Sequence, residues 1–309
     1  MLSPQPVTAV VGAGAVGCYF GGMLARAGIP VTLIGRAQHV DAIRRDGLLM
    51  DGLHVHERIP IGASTDVAAV HNAHLVLFCV KATDTETAAR ELAPHLNASA
   101  VVVSMQNGVD NAERIRSASG IHPVAAVVYV AASMSAPGQV KHSGRGDLIL
   151  GRTPSGPAEA DLDAVARPFV NAGVPCRVSA EIRAELWTKM LMNCAYNAIS
   201  ALSGQRYGKI AADPGARDLM RRVIEEAVAV ARVEGVKLDA AAMTDAAYRL
   251  GEAMSGALSS TAQDIGRGKR TEIDALNGYV VRHGTQSGIP VPVNQTLYTL
   301  VKLLESSGK

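Results

Sequence analysis

Residues 7–17 read Val7-Thr8-Ala9-Val10-Val11-Gly12-Ala13-Gly14-Ala15-Val16-Gly17. A short apolar run leads into a G-x-G-x-x-G spacing, and an amphipathic stretch follows. Strand, tight turn and helix are the context in which that spacing means more than a turn. Gly12 can make the sharp turn, Gly14 lets the backbone approach a diphosphate, and Gly17 lets the helix pack on the strand. The unpaired N–H groups and the positive dipole end of the helix then face the anion. The stretch therefore predicts a dinucleotide cradle formed by Gly12, Ala13, Gly14, Ala15, Val16 and Gly17.

The pattern continues downstream. The helix opening at Ala15 has a natural stop at Gly28, with Pro30 just beyond. Residues 31–35, 75–80, 100–103 and 124–130 are apolar runs of the kind found in parallel strands buried on both faces. Helical periodicity lies between them, around 86–93 and 111–118. This alternation predicts a doubly wound α/β sheet. Two glycine-punctuated segments, 47–59 and 138–150, read instead as antiparallel strands or hairpins. A helix over 159–171 and a strand over 174–178 close the first domain. Beyond that point the pattern is helical throughout: 181–201, 214–234, 240–254, 258–265, 271–285 and 293–305. Asp213 and Pro214 make an N-cap and N1 pair. The expected architecture is an α/β Rossmann-type dinucleotide-binding domain over 1–178, followed by an all-helical domain over 179–309. The cleft between the two is the expected ligand site.

Composition limits the function. The 309 residues are 48% hydrophobic and 19% charged, and 30 Lys plus Arg nearly balance 28 Asp plus Glu. Neither a nucleic-acid nor a membrane surface is expected from that balance. No apolar run is long enough to span a bilayer, and no signal peptide is evident, so the expected compartment is the cytoplasm. Cys18, Cys79, Cys176 and Cys194 lack metal-ligand spacing and read as reduced, mostly buried thiols. No metal is expected. A monomer or a homodimer is compatible with the sequence.

The second strand ends in Gly35-Arg36, without the carboxylate that would hold a ribose 2′-OH. Arg36 can instead pair with a 2′-phosphate, so NADPH (NADP+) is the expected cofactor. Lys81 follows one buried run, and Gln106-Asn107-Gly108 follows the next. Both lie where open α/β sheets bind ligands, although Asn-Gly is also a plain turn signal. In the helix after residue 181, Lys189, Asn193 and Asn197 recur at i, i+4 and i+8 and so share one face. An amine and two amides amid Met190, Leu191, Met192 and Cys194 cost stability on an apolar stripe, so a site is expected there rather than the alternative, an exposed polar stripe on a surface helix. Farther on, Thr271 and Asp274 resemble a capping box, and on that local reading Glu272 is a first-turn acid favoured by the helix dipole.

Taken together, these motifs resemble the ketopantoate reductases (2-dehydropantoate 2-reductases), from Gly12 to the Ile289-Pro290-Val291-Pro292-Val293-Asn294 run. The resemblance implies reduction of ketopantoate to pantoate with NADPH, in pantothenate and coenzyme A synthesis. It implies that Lys189 is the general acid and Glu272 its acidic partner, against the capping reading. It also implies that Asn107, Asn193, Asn197 and Ser260 orient substrate, with Asn107 adjoining the cofactor, and that the glycine loop, Arg36 and Lys81 hold the nucleotide. One stretch departs from the family. Where its members read close to Pro-Asn-Gly-Glu-Leu, this chain has Arg206-Tyr207-Gly208-Lys209-Ile210, and Ala198 follows Asn197 where many have Pro. A different 2-oxo acid substrate is thus an alternative, and a non-catalytic NADP-binding sensor is a more distant one.

Overall fold

A computed structural model describes residues 5–52 and 55–307. The chain divides into two compact units, one holding residues 1–106 and 110–182, the other 107–109 and 183–309.

The first unit contains β1 (Thr8–Val11), α1 (Ala15–Arg26), β2 (Val31–Ile34), α2 (Ala37–Asp46), β3 (Leu48–Gly52), β4 (His56–Ile59), β5 (Gly62–Ser64), β6 (Leu75–Phe78), α3 (Thr85–Leu92), β7 (Val101–Ser104), α4 (Asn111–Ser119), β8 (Val124–Ala136), β9 (Gln139–Gly151), α5 (Leu162–Asn171) and β10 (Cys176–Val178). Among the described residues the strands form one sheet in the order β4-β3-β9-β8-β7-β6-β1-β2-β5, with β10 also on β9. The segment from β8 through β5 is parallel.

Burial explains the apolar runs. Val10, Leu33, Leu75, Leu77 and Val103 enter one core with Phe20 and Leu24 of α1 and Phe169 of α5. The alternate residues Ala9, Val11, Ile34, Val76, Phe78 and Val102 enter a second core with Ala89, Leu92 and Ile115 of α3 and α4. A strand with helices on both faces has no polar face to show, hence the unbroken runs.

The sheet is mixed rather than uniformly doubly wound. β8 and β9 are 13 residues each and pair antiparallel, with bulges near Tyr129, Ala131 and Met134. The strand expected over 124–130 thus runs on to Ala136. β3 and β4 form the antiparallel pair expected within 47–59, and β3 also joins β9 in parallel. Residues 53 and 54 of that segment lie outside the described residues.

The second unit is helical: α6 (Ile182–Ser203), α7 (Tyr207–Ala212), α8 (Pro214–Val233), α9 (Ala240–Ala253), α10 (Ser260–Gly266), α11 (Asn277–Gln286) and α12 (Pro292–Ser306). Asp213 caps α8 by accepting from the Ala216 N–H, with Pro214 at the first turn. α6 is buried nearly all round in its middle. Trp187, Met190, Leu191, Cys194, Ala195, Tyr196 and Ala198 enter the core of this unit, as a helix hydrophobic on every side must.

The single helix expected over 271–285 is split. Ile273–Ala275 is a 3-10 turn, Leu276 has the non-helical angles φ −112° and ψ −108°, and α11 starts at Asn277. The Thr271–Asp274 capping box does not form. Glu305 of α12 accepts from the Thr271 N–H at 2.7 Å, where a box acid would have done so, and Asp274 is held by Tyr298 and Lys302. A long-range partner outcompetes the local one.

Candidate active site

The glycine loop joins β1 to α1 as its spacing requires. Gly12 has φ +109°, and a Cβ there would lie 2.7 Å from the Cys79 backbone carbon. A Cβ on Gly17 would land on the Gly12 carbonyl oxygen. Gly14, the N-cap of α1, is different: a Cβ there meets nothing within 4 Å. Two glycines are thus required by packing, and the third borders open space at a helix N-terminus. The N–H groups of Ala15, Val16 and Gly17 belong to the first turn, which has no intrahelical acceptors. A diphosphate fits this cradle, since backbone donors converge on space that a side chain would fill.

Arg36 is exposed at the N-cap of α2, makes no cap bond there, and lies just beyond β2. Lys81 is half-buried at the start of the 3-10 turn after β6. Two features the sequence did not reveal hold that loop. The Gln106 amide is buried and donates to the Val80 carbonyl at 3.1 Å and to the Thr85 hydroxyl at 2.7 Å, joining the ends of β6 and β7. Arg114 of α4 grips both oxygens of Glu86 at 2.7 and 2.9 Å and the Ala82 carbonyl at 2.6 Å. That hydrogen bonding holds the Glu86 carboxyl below its ordinary range.

In the second unit Asn107, Lys189 and Glu272 come together. Lys189 Nζ donates to Asn107 Oδ1 at 2.8 Å, and Asn107 Nδ2 donates to Glu272 Oε2 at 2.9 Å. The amide is oriented from both ends, its oxygen toward the ammonium and its nitrogen toward the carboxylate. All three residues are half-buried. The arrangement places a cationic proton donor beside a fixed amide and within one amide of an acid.

The polar stripe of α6 continues from Lys189. Asn193 is half-buried, and among the described residues no hydrogen-bond partner is seen for its amide. Asn197 is buried. Among the described residues its amide makes only long contacts of 3.5 Å, donating to the Ser260 hydroxyl and accepting from the Tyr207 hydroxyl. Such weak bonds leave it capacity for a ligand. Ser260 is exposed at the start of α10, which Ser259 caps by accepting from the Ala262 N–H. Tyr207 stacks on Tyr196 at 4.2 Å between ring centroids, and burial pushes its phenol well above the ordinary range. The cysteines take no part in this group. Burial pushes the Cys18 and Cys176 thiols up to about 12, away from the reactive thiolate form.

A glycine cradle at a helix N-terminus and an amine–amide–acid group are each features that a nicotinamide-dependent oxidoreductase requires. The family model described as Ketopantoate reductase PanE/ApbA matches residues 8–155, and its C-terminal counterpart matches 181–305. A 2-dehydropantoate 2-reductase of Pyrococcus horikoshii is 33% identical over 299 residues, covering 97% of this chain and 97% of its own length. The crystal structure of a PanE/ApbA family ketopantoate reductase from Ralstonia eutropha JMP134 is 49% identical, with a TM-score of 0.91 over 97% of this chain and 99% of that one. D-mandelate dehydrogenase with NADH and anilino(oxo)acetate also has a TM-score of 0.91, over 97% of this chain and 99% of that one. It is 24% identical, a likeness that speaks for the fold alone. The chain belongs to the ketopantoate reductase family. Among the described residues no helix is long and apolar enough to cross a membrane.

Proposed function

We propose that this protein reduces 2-dehydropantoate to pantoate with NADPH, feeding pantothenate and coenzyme A synthesis. The observation that carries the proposal is the chain of hydrogen bonds from Lys189 through Asn107 to Glu272. The glycine loop and the first turn of α1 would hold the diphosphate, with Arg36 and Lys81 as the cationic groups for the rest of the nucleotide. When bound, the reduced nicotinamide supplies the hydride. Lys189 stabilises the negative charge that develops on the ketone oxygen and delivers its proton there. Asn107 fixes the ammonium, and Glu272 fixes Asn107 and balances the charge of the lysine. Asn193, Asn197 and Ser260 orient the substrate through donors and acceptors that the fold leaves available.

NADPH is favoured over NADH by Arg36, whose guanidinium is exposed at a strand end without a carboxylate. A lost charge-assisted hydrogen bond costs about 1.5–3 kcal/mol, or roughly tenfold to a hundredfold in affinity. Arg36→Ala is therefore expected to weaken NADPH by that factor and to leave NADH little changed in a fluorescence titration. Equal weakening of both would refute the phosphate role.

Substrate is tested by following NADPH oxidation with ketopantoate beside pyruvate, 2-oxoisovalerate and benzoylformate. A clear preference for ketopantoate is expected. Tyr207 favours one second reading, a different 2-oxo acid, because a bulky phenol stands against Asn197 where the family's amide is absent. If benzoylformate or another acid wins in the wild type and Tyr207→Asn restores preference for ketopantoate, that second reading replaces the first.

A further inference from the structure

The segment carrying Glu272 has little structure of its own. Residues 266–270 before it are exposed, and a single 3-10 turn follows it. Its two flanks are held from α12. Tyr298, Lys302 and Glu305 are spaced i, i+4 and i+7, so they share one helix face. The Tyr298 hydroxyl donates to Asp274 Oδ1 at 2.7 Å, and Lys302 Nζ donates to Asp274 Oδ2 at 3.1 Å. The Thr271 N–H donates to Glu305 Oε1 at 2.7 Å, and the Thr271 hydroxyl donates to the same oxygen. Lys302 closes the group with a 2.7 Å pair to the other Glu305 oxygen. Both sequence flanks of Glu272 are therefore tied to one helix.

The helix is itself anchored at its other end. Glu226 of α8 accepts from the Val293 and Asn294 N–H groups, at 2.9 Å each, and from the Asn294 side chain at 2.8 Å. Asn294 is fully buried and receives a hydrogen bond from Asn277, which also donates to the Cys194 carbonyl on α6. Burial alone would raise the Glu305 carboxyl, but the hydrogen bonds from Lys302 and Thr271 outweigh it and hold the group below its ordinary range. Asp274 is held low in the same way by Tyr298 and Lys302.

We infer that α12 is a positioning strap for the active-site acid: Glu305, with Lys302 and Tyr298, sets the Glu272 carboxylate against Asn107, and through it the Lys189 ammonium. The inference rests on the role proposed for Glu272. These residues act through Glu272 rather than on the substrate, so their loss misplaces an otherwise intact group. Misplacement on the scale of 1 Å can cost about a hundredfold in rate.

The test is a double-mutant cycle on the full chain, with melting curves showing that each variant is folded at the assay temperature. Glu305→Ala is expected to lower kcat by roughly tenfold to a hundredfold with KM for NADPH unchanged. Glu305→Gln, which keeps an acceptor for Thr271, is expected to retain most of kcat. In a Glu272→Gln background the further loss from Glu305→Ala should vanish, because residues acting as one unit are not additive. Tyr298→Phe, a milder change, carries the same cycle if Glu305→Ala does not fold. Additive losses in the cycle would overturn the strap while leaving the role of Glu272 intact. Unchanged kcat in Glu272→Gln alone would overturn both.

Discussion

Lys189→Ala is expected to lose about two to four orders of magnitude in kcat, the usual worth of general acid assistance. Its affinity for NADPH should stay near that of the wild type, because the diphosphate cradle belongs to the other unit. The geometry behind this expectation is the 2.8 Å bond that fixes the ammonium on Asn107. On the role proposed for Lys189, alanine removes both the proton donor and the charge that would stabilise the developing alkoxide, and α6 carries no other lysine to take its place. Single-turnover measurement of NADPH oxidation separates this loss from product release. Near-normal turnover in the variant would sink the assignment.

The second large effect separates the glycines. Gly17→Ala puts a methyl group on the Gly12 carbonyl oxygen, a backbone atom that cannot swing aside. Overpacking of this kind costs about 3 kcal/mol or more. For a unit of this size that is a melting temperature lower by about 10 °C. Gly14→Ala meets nothing within 4 Å, and Gly14 has an ordinary φ of −89°. Its stability should stay within about 0.5 kcal/mol of the wild type. Its affinity for the dinucleotide should nevertheless fall roughly tenfold or more, about 1.4 kcal/mol, since the methyl occupies the space a diphosphate would use. Thermal melting and cofactor titration of both variants would show opposite patterns. A Gly14→Ala variant that binds NADPH normally would remove the cradle from the site.

These contrasts show what was legible in the sequence. The glycine loop, α1 and the shared face of Lys189, Asn193 and Asn197 are local patterns, and helical or turn periodicity fixes them within a dozen residues. Glu272 was not legible in this way. Its local reading as a first-turn acid was reasonable, but the bond that decides its place comes from Asn107, 165 residues earlier in the chain. Only the family resemblance pointed to it. The break at Leu276 was hidden for a related reason: Glu305 holds Thr271 from 34 residues away, and Tyr298 and Lys302 hold Asp274 from 24 and 28 residues away. The full length of β8 and β9 was missed because each long strand depends on the other for its hydrogen bonds, which no window on either one records.

The two cores on either side of the sheet have a consequence for how such a chain can change. β1 is four residues long, and its neighbours Val10 and Val11 point into different cores. A substitution in it disturbs one core, and a like-sized apolar residue can restore the fit. Loss of a single residue is another matter, since it turns every later side chain of the strand to the opposite face. It would also shift Gly12 away from the Cys79 backbone it must approach. The central strands can therefore drift in side-chain identity while their lengths stay locked, and insertions and deletions among relatives should fall outside β1, β2, β6 and β7.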